Sequence, residues 1–153
     1  MKTKIIFYKA KTGTIVDKAI ALWTCGVYSH CEIVICWDDG RYNCLSASSR
    51  DGGVRMKQIK DYETSGKWDI YDIKLNFNEI KYFWDETCGK KYDWIGILFN
   101  EFLPFKLQHN DKWYCSEWIA KLLCLNGYDK LNNEIHISPS RLHNRLIEYG
   151  YIK

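Results

Sequence analysis

Prolines are scarce in this chain, two in 153 residues, and no proline-rich or glycine–serine-rich stretch divides it. With 46% hydrophobic and 16% aromatic residues, that composition excludes a disordered chain and any obvious linker, and the length fits one domain over residues 1–153. Long hydrophobic runs are also missing. No window of about 20 apolar residues occurs, so no transmembrane segment is expected. The apolar run nearest the start, Ile5 to Tyr8, is too short for a signal peptide, and the chain is expected to be cytoplasmic as synthesised. There is no run of five or more basic residues, and a net charge of +3 is too small and scattered to make nucleic acid an expected partner. No phosphate-cradling G-x-x-x-x-G-K-[ST] pattern is present, so Gly52 and Gly53 in "RDGGVR" read as turn geometry.

Cysteine is plentiful, but the metal-binding spacing is not. The seven cysteines, at 25, 31, 36, 44, 88, 115 and 124, make no zinc knuckle: the one pair at C-x₂₋₄-C spacing is Cys31 and Cys36, with no second pair to complete four ligands. An odd number with no secretory signal points to reduced thiols. Cys31 and Cys36 fall on opposite faces of a strand, and Cys115 and Cys124 on opposite sides of a helix. No metal and no organic cofactor is expected, and most of these thiols read as small buried side chains.

Periodicity and turn signals lay out the elements. "KIIFYKA" reads as a strand, and "TIVDKAIALWT" as a helix N-capped by Thr14 with Asp17 three residues on. On that helix Ile15, Ala19, Leu22 and Trp23 share one broad face. "HCEIVICW" (30–37) is the strongest strand, turned by "DDGR" into a partner "YNCLSAS" (42–48). "RDGGVRMKQI" re-enters extended chain, and "KWDIYDIKL" (67–75) alternates as a further strand. The second half is helical: "NEIKYFWDETCG" with Asn78 as N-cap, "YCSEWIAKLLCLNG", and "SPSRLHNRLIEYG" with Ser138 as N-cap and Pro139 after it. The apolar segment at 93–105 reads as a buried helix plus loop, with a substrate-groove wall or membrane-facing lip as the alternative. Strands first and helices later predict an α+β fold, an antiparallel sheet packed against helices.

One cysteine stands apart. Cys115 opens a helix, where unpaired N–H groups and the macrodipole favour a thiolate. A cysteine nucleophile needs a base, and the base an orienting partner. His109 lies in a polar loop, and His136 and His143 flank or lie on the last helix; all three read as ordinary histidines. His30 opens the best strand, with Glu32 on the same face. From spacing alone that pair is accounted for by solvated polar residues at a strand end, with a catalytic role as the alternative.

Taken in order, "YSHCEIVI", "CLSASSRDGGVR" and "WYCSEWIA" resemble the circularly permuted branch of the papain-like, NlpC-type amidases and peptidases, the YiiX-like proteins and their viral relatives. The similarity runs over roughly residues 4 to 125. In that branch the histidine strand precedes the cysteine helix, as it does here. The resemblance implies a papain-like α+β fold with the nucleophile at a helix N-terminus, Cys115 as that nucleophile and His30 as its base. Many permuted relatives place a glutamate on the second strand to orient the histidine. Here that place holds Ser46, so the expected orienting group is Ser46 or Glu32. Ser116 and Glu117 match the residues that follow the nucleophile.

The implied chemistry is a cysteine hydrolase that cleaves an amide, in a cell-wall peptide or an acyl-amide or ester, through a Cys–His dyad or triad and an acyl-enzyme. The expected partner is a peptide or acyl-amide substrate, with peptidoglycan and lipid as its sources. The alternative is a catalytically silent binding or virion-associated module on the same fold, released on lysis or carried in a virion. Nothing in the sequence sets the oligomeric state.

Overall fold

The alternation that marks the first half of the chain becomes a seven-stranded sheet. The computed structural model describes residues 1–23, 26–94, 111–133 and 137–153, save the side chains of Val16 and Trp23. Cys25, His109, His136 and most of the apolar 93–105 segment lie outside the described residues. The strands are β1 (Lys2–Lys9), β2 (Tyr28–Cys36), β3 (Tyr42–Ser48), β4 (Gly53–Lys57), β5 (Trp68–Asp72), β6 (Lys91–Tyr92) and β7 (Lys112–Trp113), in the spatial order β5-β1-β2-β3-β4-β6-β7. All pairings are antiparallel except that of β6 with β7. The α-helices are α1 (Ile15–Trp23), α2 (Phe77–Thr87), α3 (Cys115–Leu125) and α4 (Pro139–Glu148). The fold is α+β, a mixed sheet packed against helices.

Strand β2 is central because both of its faces are apolar enough to bury. Cys31, Ile33 and Ile35 join the main core with Trp118, Ile119, Leu122 and Leu123 of α3, Ile80 and Phe83 of α2, and Leu142 and Leu146 of α4. Full burial of such side chains contributes roughly 1.5–3 kcal/mol each. Val34, on the opposite face, packs with Ile6, Cys44 and Tyr62 in a smaller cluster. The indole N–H of Trp118 donates to Thr87 Oγ1 at 2.9 Å, which satisfies the largest buried side chain of α3 and ties it to α2.

Helix ends follow their local chemistry. Asn76, not Asn78, caps α2: its Oδ1 accepts from the Asn78 N–H at 2.8 Å. Two asparagines flank Phe77, and the earlier one has the extended backbone a cap requires. Ser138 caps α4 by accepting from the Arg141 N–H. The Thr14 hydroxyl and N–H both donate to Asp17 at 2.7 Å, closing the start of α1.

Helix α1 departs from its sequence reading in one respect. Three of the four residues of its apolar stripe point outward, Ile15, Ala19 and Leu22, with Ile15 85% exposed and Leu22 81% exposed, while Asp17 is buried. The acid faces inward because it has partners there, the Ser29 hydroxyl at 3.1 Å and the Arg50 guanidinium, besides its own cap.

Candidate active site

Strand β2 carries two adjacent residues, His30 and Cys31, that meet the start of α3. The β2–β3 ladder runs from Cys36↔Tyr42 to Ile33↔Leu45 and ends there. Beyond it the ladder is bridged by a side chain: Ser46 Oγ donates to the Cys31 carbonyl at 2.8 Å. Cys115, the first residue of α3, engages side chains from both faces of β2 here. It meets His30 from one face and Cys31 from the other. The Tyr114 cap supplies no side-chain acceptor to the first turn. The helix is anchored instead by Ser116, whose hydroxyl donates to the Ile137 carbonyl at 2.6 Å. Glu117 is buried in the same first turn, where a carboxylate suits the helix dipole.

The imidazole of His30 lies between two partners. Its Nε2 and Glu32 Oε1 are 3.0 Å apart, so Nε2–H donates to the carboxylate. That leaves Nδ1 as the nitrogen for the Cys115 thiol, with which His30 also hydrogen-bonds. Glu32 is 1% exposed and is held in turn by Arg55 of β4, with Nη1 to Oε2 at 2.8 Å and Nη2 to Oε1 at 2.7 Å. Arg55 Nε continues to Asp51 at 2.7 Å, and Lys57 closes on the same oxygen at 2.6 Å. A chain of charge thus runs from the thiol to the surface: Cys115, His30, Glu32, Arg55, Asp51, Lys57. A bidentate buried pair of this kind costs about 3–5 kcal/mol to break from one side, because the partner is stranded without water.

Protonation follows from these contacts. Burial opposes ionisation of Cys115, but the hydrogen bond from Cys31 and the charge of His30 outweigh it and hold the thiol well below its ordinary value. The Cys31 backbone N–H also donates to the Cys115 sulfur. Burial likewise disfavours a charged His30, yet the Cys115 charge and the Glu32 carboxylate push the ring up to about 9. Both shifts favour the same form of the pair, a thiolate beside an imidazolium. Glu32 stays ionised: burial raises it, but His30 and Arg55 bring it below the usual carboxylate range. Cys31 stays a thiol, raised by burial and by the neighbouring Cys115 charge. Tyr92 is kept neutral in the same way.

The sequence-based expectations divide here. Cys115, His30 and Glu32 come together. Ser46 does not join them; where the β2–β3 ladder has ended, its hydroxyl turns to backbone carbonyls, Cys31 at 2.8 Å and Ala47 at 3.3 Å. Arg55 and Tyr92 were not singled out from sequence. An arginine alternating with apolar residues on a strand looks like a solvated side chain, and only the register Ser46↔Arg55 brings it across to Glu32. His143, in contrast, is a satisfied core histidine, with Nε2 2.9 Å from the Tyr71 hydroxyl.

A cleft of about 480 Å³ opens beside His30, Glu32, Arg55, Tyr92 and Trp68. Cys115 does not line it and has no exposed surface, whereas His30 keeps 19% of its side-chain surface exposed. Among the described residues no group of three or more His, Cys, Asp or Glu side chains is arranged to hold a metal ion, and no helix is long and apolar enough to cross a membrane.

No protein-family model matches the chain, and no curated protein matches it. Among solved structures it is similar to the metalloprotein YiiX of Escherichia coli O157:H7, described as DUF1105, at 21% identity and a TM-score of 0.56. The match covers 82% of this chain but only 66% of that one, just under two thirds. At this identity the likeness shows a YiiX-like fold and carries no residue roles.

Proposed function

We propose that the chain is a papain-like cysteine hydrolase of permuted order, with Cys115 as nucleophile, His30 as general acid and base, and Glu32 orienting His30. The observation that carries this reading is the imidazole held between the Cys115 thiol and a carboxylate that is itself clamped by Arg55. The Cys115 thiolate attacks the carbonyl carbon of an amide, ester or thioester. The oxyanion forms at the start of α3, where the Cys115 N–H faces it, with the neutral Tyr92 phenol as a nearby donor. His30 gives its proton to the leaving amine or alcohol, and the acyl group remains on the sulfur. Neutral His30 then takes a proton from water as that water attacks, and the acid leaves with the thiolate restored.

YiiX is described as a metalloprotein. The donor set around Cys115 does not fit a metal ion: both Glu32 oxygens accept from Arg55, whose charge repels a cation at that place. No step is routed through a metal.

Because Cys115 is fully buried, acylation requires the cleft to widen past His30 and Tyr92. The same burial favours a second reading, a silent binding module that keeps the cleft and not the turnover. The two separate by intact-mass measurement with a p-nitrophenyl acyl ester. The hydrolase reading expects release of the phenol and a transient acyl adduct on the wild-type chain, both absent in Cys115→Ala. Equal turnover in that variant would reject Cys115 as nucleophile. No turnover and no adduct in the wild type would leave the binding module.

A further inference from the structure

We propose that the outward face of α1, with Val27 beside it, docks on the surface of an anionic lipid bilayer. This inference does not rest on the hydrolase reading. Ile15, Lys18, Ala19 and Leu22 fall at i, i+3, i+4 and i+7, one face of the helix, and Ile15 and Leu22 protrude with more than four fifths of their surface exposed. Val27 adds a third aliphatic side chain at 67% exposed. Beside them a groove of about 690 Å³ is lined by Ala10, Ala21, Leu22 and Val27 and edged by Lys11 and Lys18.

Charge selects the occupant. The one acid of α1, Asp17, is turned inward to Ser29 and Arg50, so the one charge the helix shows outward is Lys18, with Lys11 at the edge of the groove. The acid that reaches the groove, Asp69, is neutralised by Lys9 at 2.8 Å. Protein–protein contacts are depleted in lysine and enriched in aromatic residues and arginine. The described side chains that protrude on this face are aliphatic and lysine, with the one aromatic residue lining the groove, Tyr28, buried beneath it, and that pairing suits an interfacial helix on anionic headgroups. The capping bonds between Thr14 and Asp17 preform the helix, so docking orders no new segment. Asp17 and Arg50 also line the cleft beside His30, so a docked α1 brings that cleft to the membrane.

Flotation of the full chain with extruded vesicles tests this. Binding is expected to vesicles of phosphatidylcholine containing about a third phosphatidylglycerol, and to be weak with phosphatidylcholine alone. Added salt is expected to weaken it. Ile15→Asp with Leu22→Asp is expected to lower it at least tenfold, with unchanged circular dichroism because neither side chain is in the core. Lys11→Glu with Lys18→Glu is expected to lower it by roughly fivefold or more per lysine. Failure of the wild type to float with the anionic vesicles would overturn the proposal. So would binding undiminished in the double aspartate variant. A wild-type dimer in sedimentation velocity that this variant turns to monomer would assign the face to a second copy and overturn it equally.

Discussion

His30 is the residue on which the proposed chemistry turns, because it is charged for two reasons at once. Its folded pKa, about 9, lies above the ordinary 6.5. The imidazolium is therefore in place through neutral pH and is lost as pH rises through about 9. Cys115 shifts the other way, downward, so the thiolate persists to lower pH than an ordinary cysteine allows and is lost as pH falls through that lowered value. The ultraviolet thiolate absorbance, taken as wild type minus Cys115→Ser, should be fully developed at pH 7. In His30→Ala burial has no opposing charge of this size, and the signal should appear only in alkali. A wild type without thiolate absorbance at pH 7 would refute the ion pair. Cys115 could be singled out by its position at a helix start, and His30 only through the order of motifs that carries the family resemblance. The arginine behind Glu32 could not, because its partner lies across two strands.

Among the elements, the short strands β6 and β7 escaped the sequence because two residues carry no period. The longer ones did not: β3 spans Tyr42–Ser48, the run set off by the "DDGR" turn. On helix α1 the 3.6-residue period marks an apolar stripe but does not determine which way it faces. Gly53 shows what the short strands demand. A Cβ there would sit 2.0 Å from the Lys90 carbonyl oxygen, where β4 passes β6. That oxygen accepts from the Val54 N–H at 2.9 Å, so it cannot simply move away. Gly53→Ala should destabilise by about 1–3 kcal/mol in denaturant unfolding and displace Tyr92 from the cleft. A variant with wild-type stability would show that β6 yields without cost.

At the scale of the whole molecule, four carboxylates that are both paired and partly or fully buried lead the response to acid among the described residues. Burial raises Asp17, Glu32, Asp51 and Asp69, yet Thr14, His30, Lys57 and Lys9 respectively lead the contacts that bring each below its ordinary value. Their folded values lie below the unfolded ones, so their contribution is in place above the ordinary range of 3.8 to 4.5 and is lost as pH falls below it. The thermal midpoint should stay level from pH 7 to 5 and drop by several degrees by pH 3. A midpoint unchanged at pH 3 would mean these pairs contribute nothing to the folded state. One further consequence lies in the meeting of β2 and α3. Residues 30 and 115 belong to opposite halves of the chain, and neither half holds both members of the ion pair. During refolding the thiolate can form only once α3 has closed onto the sheet, so its absorbance would serve as a clock for the last long-range contact.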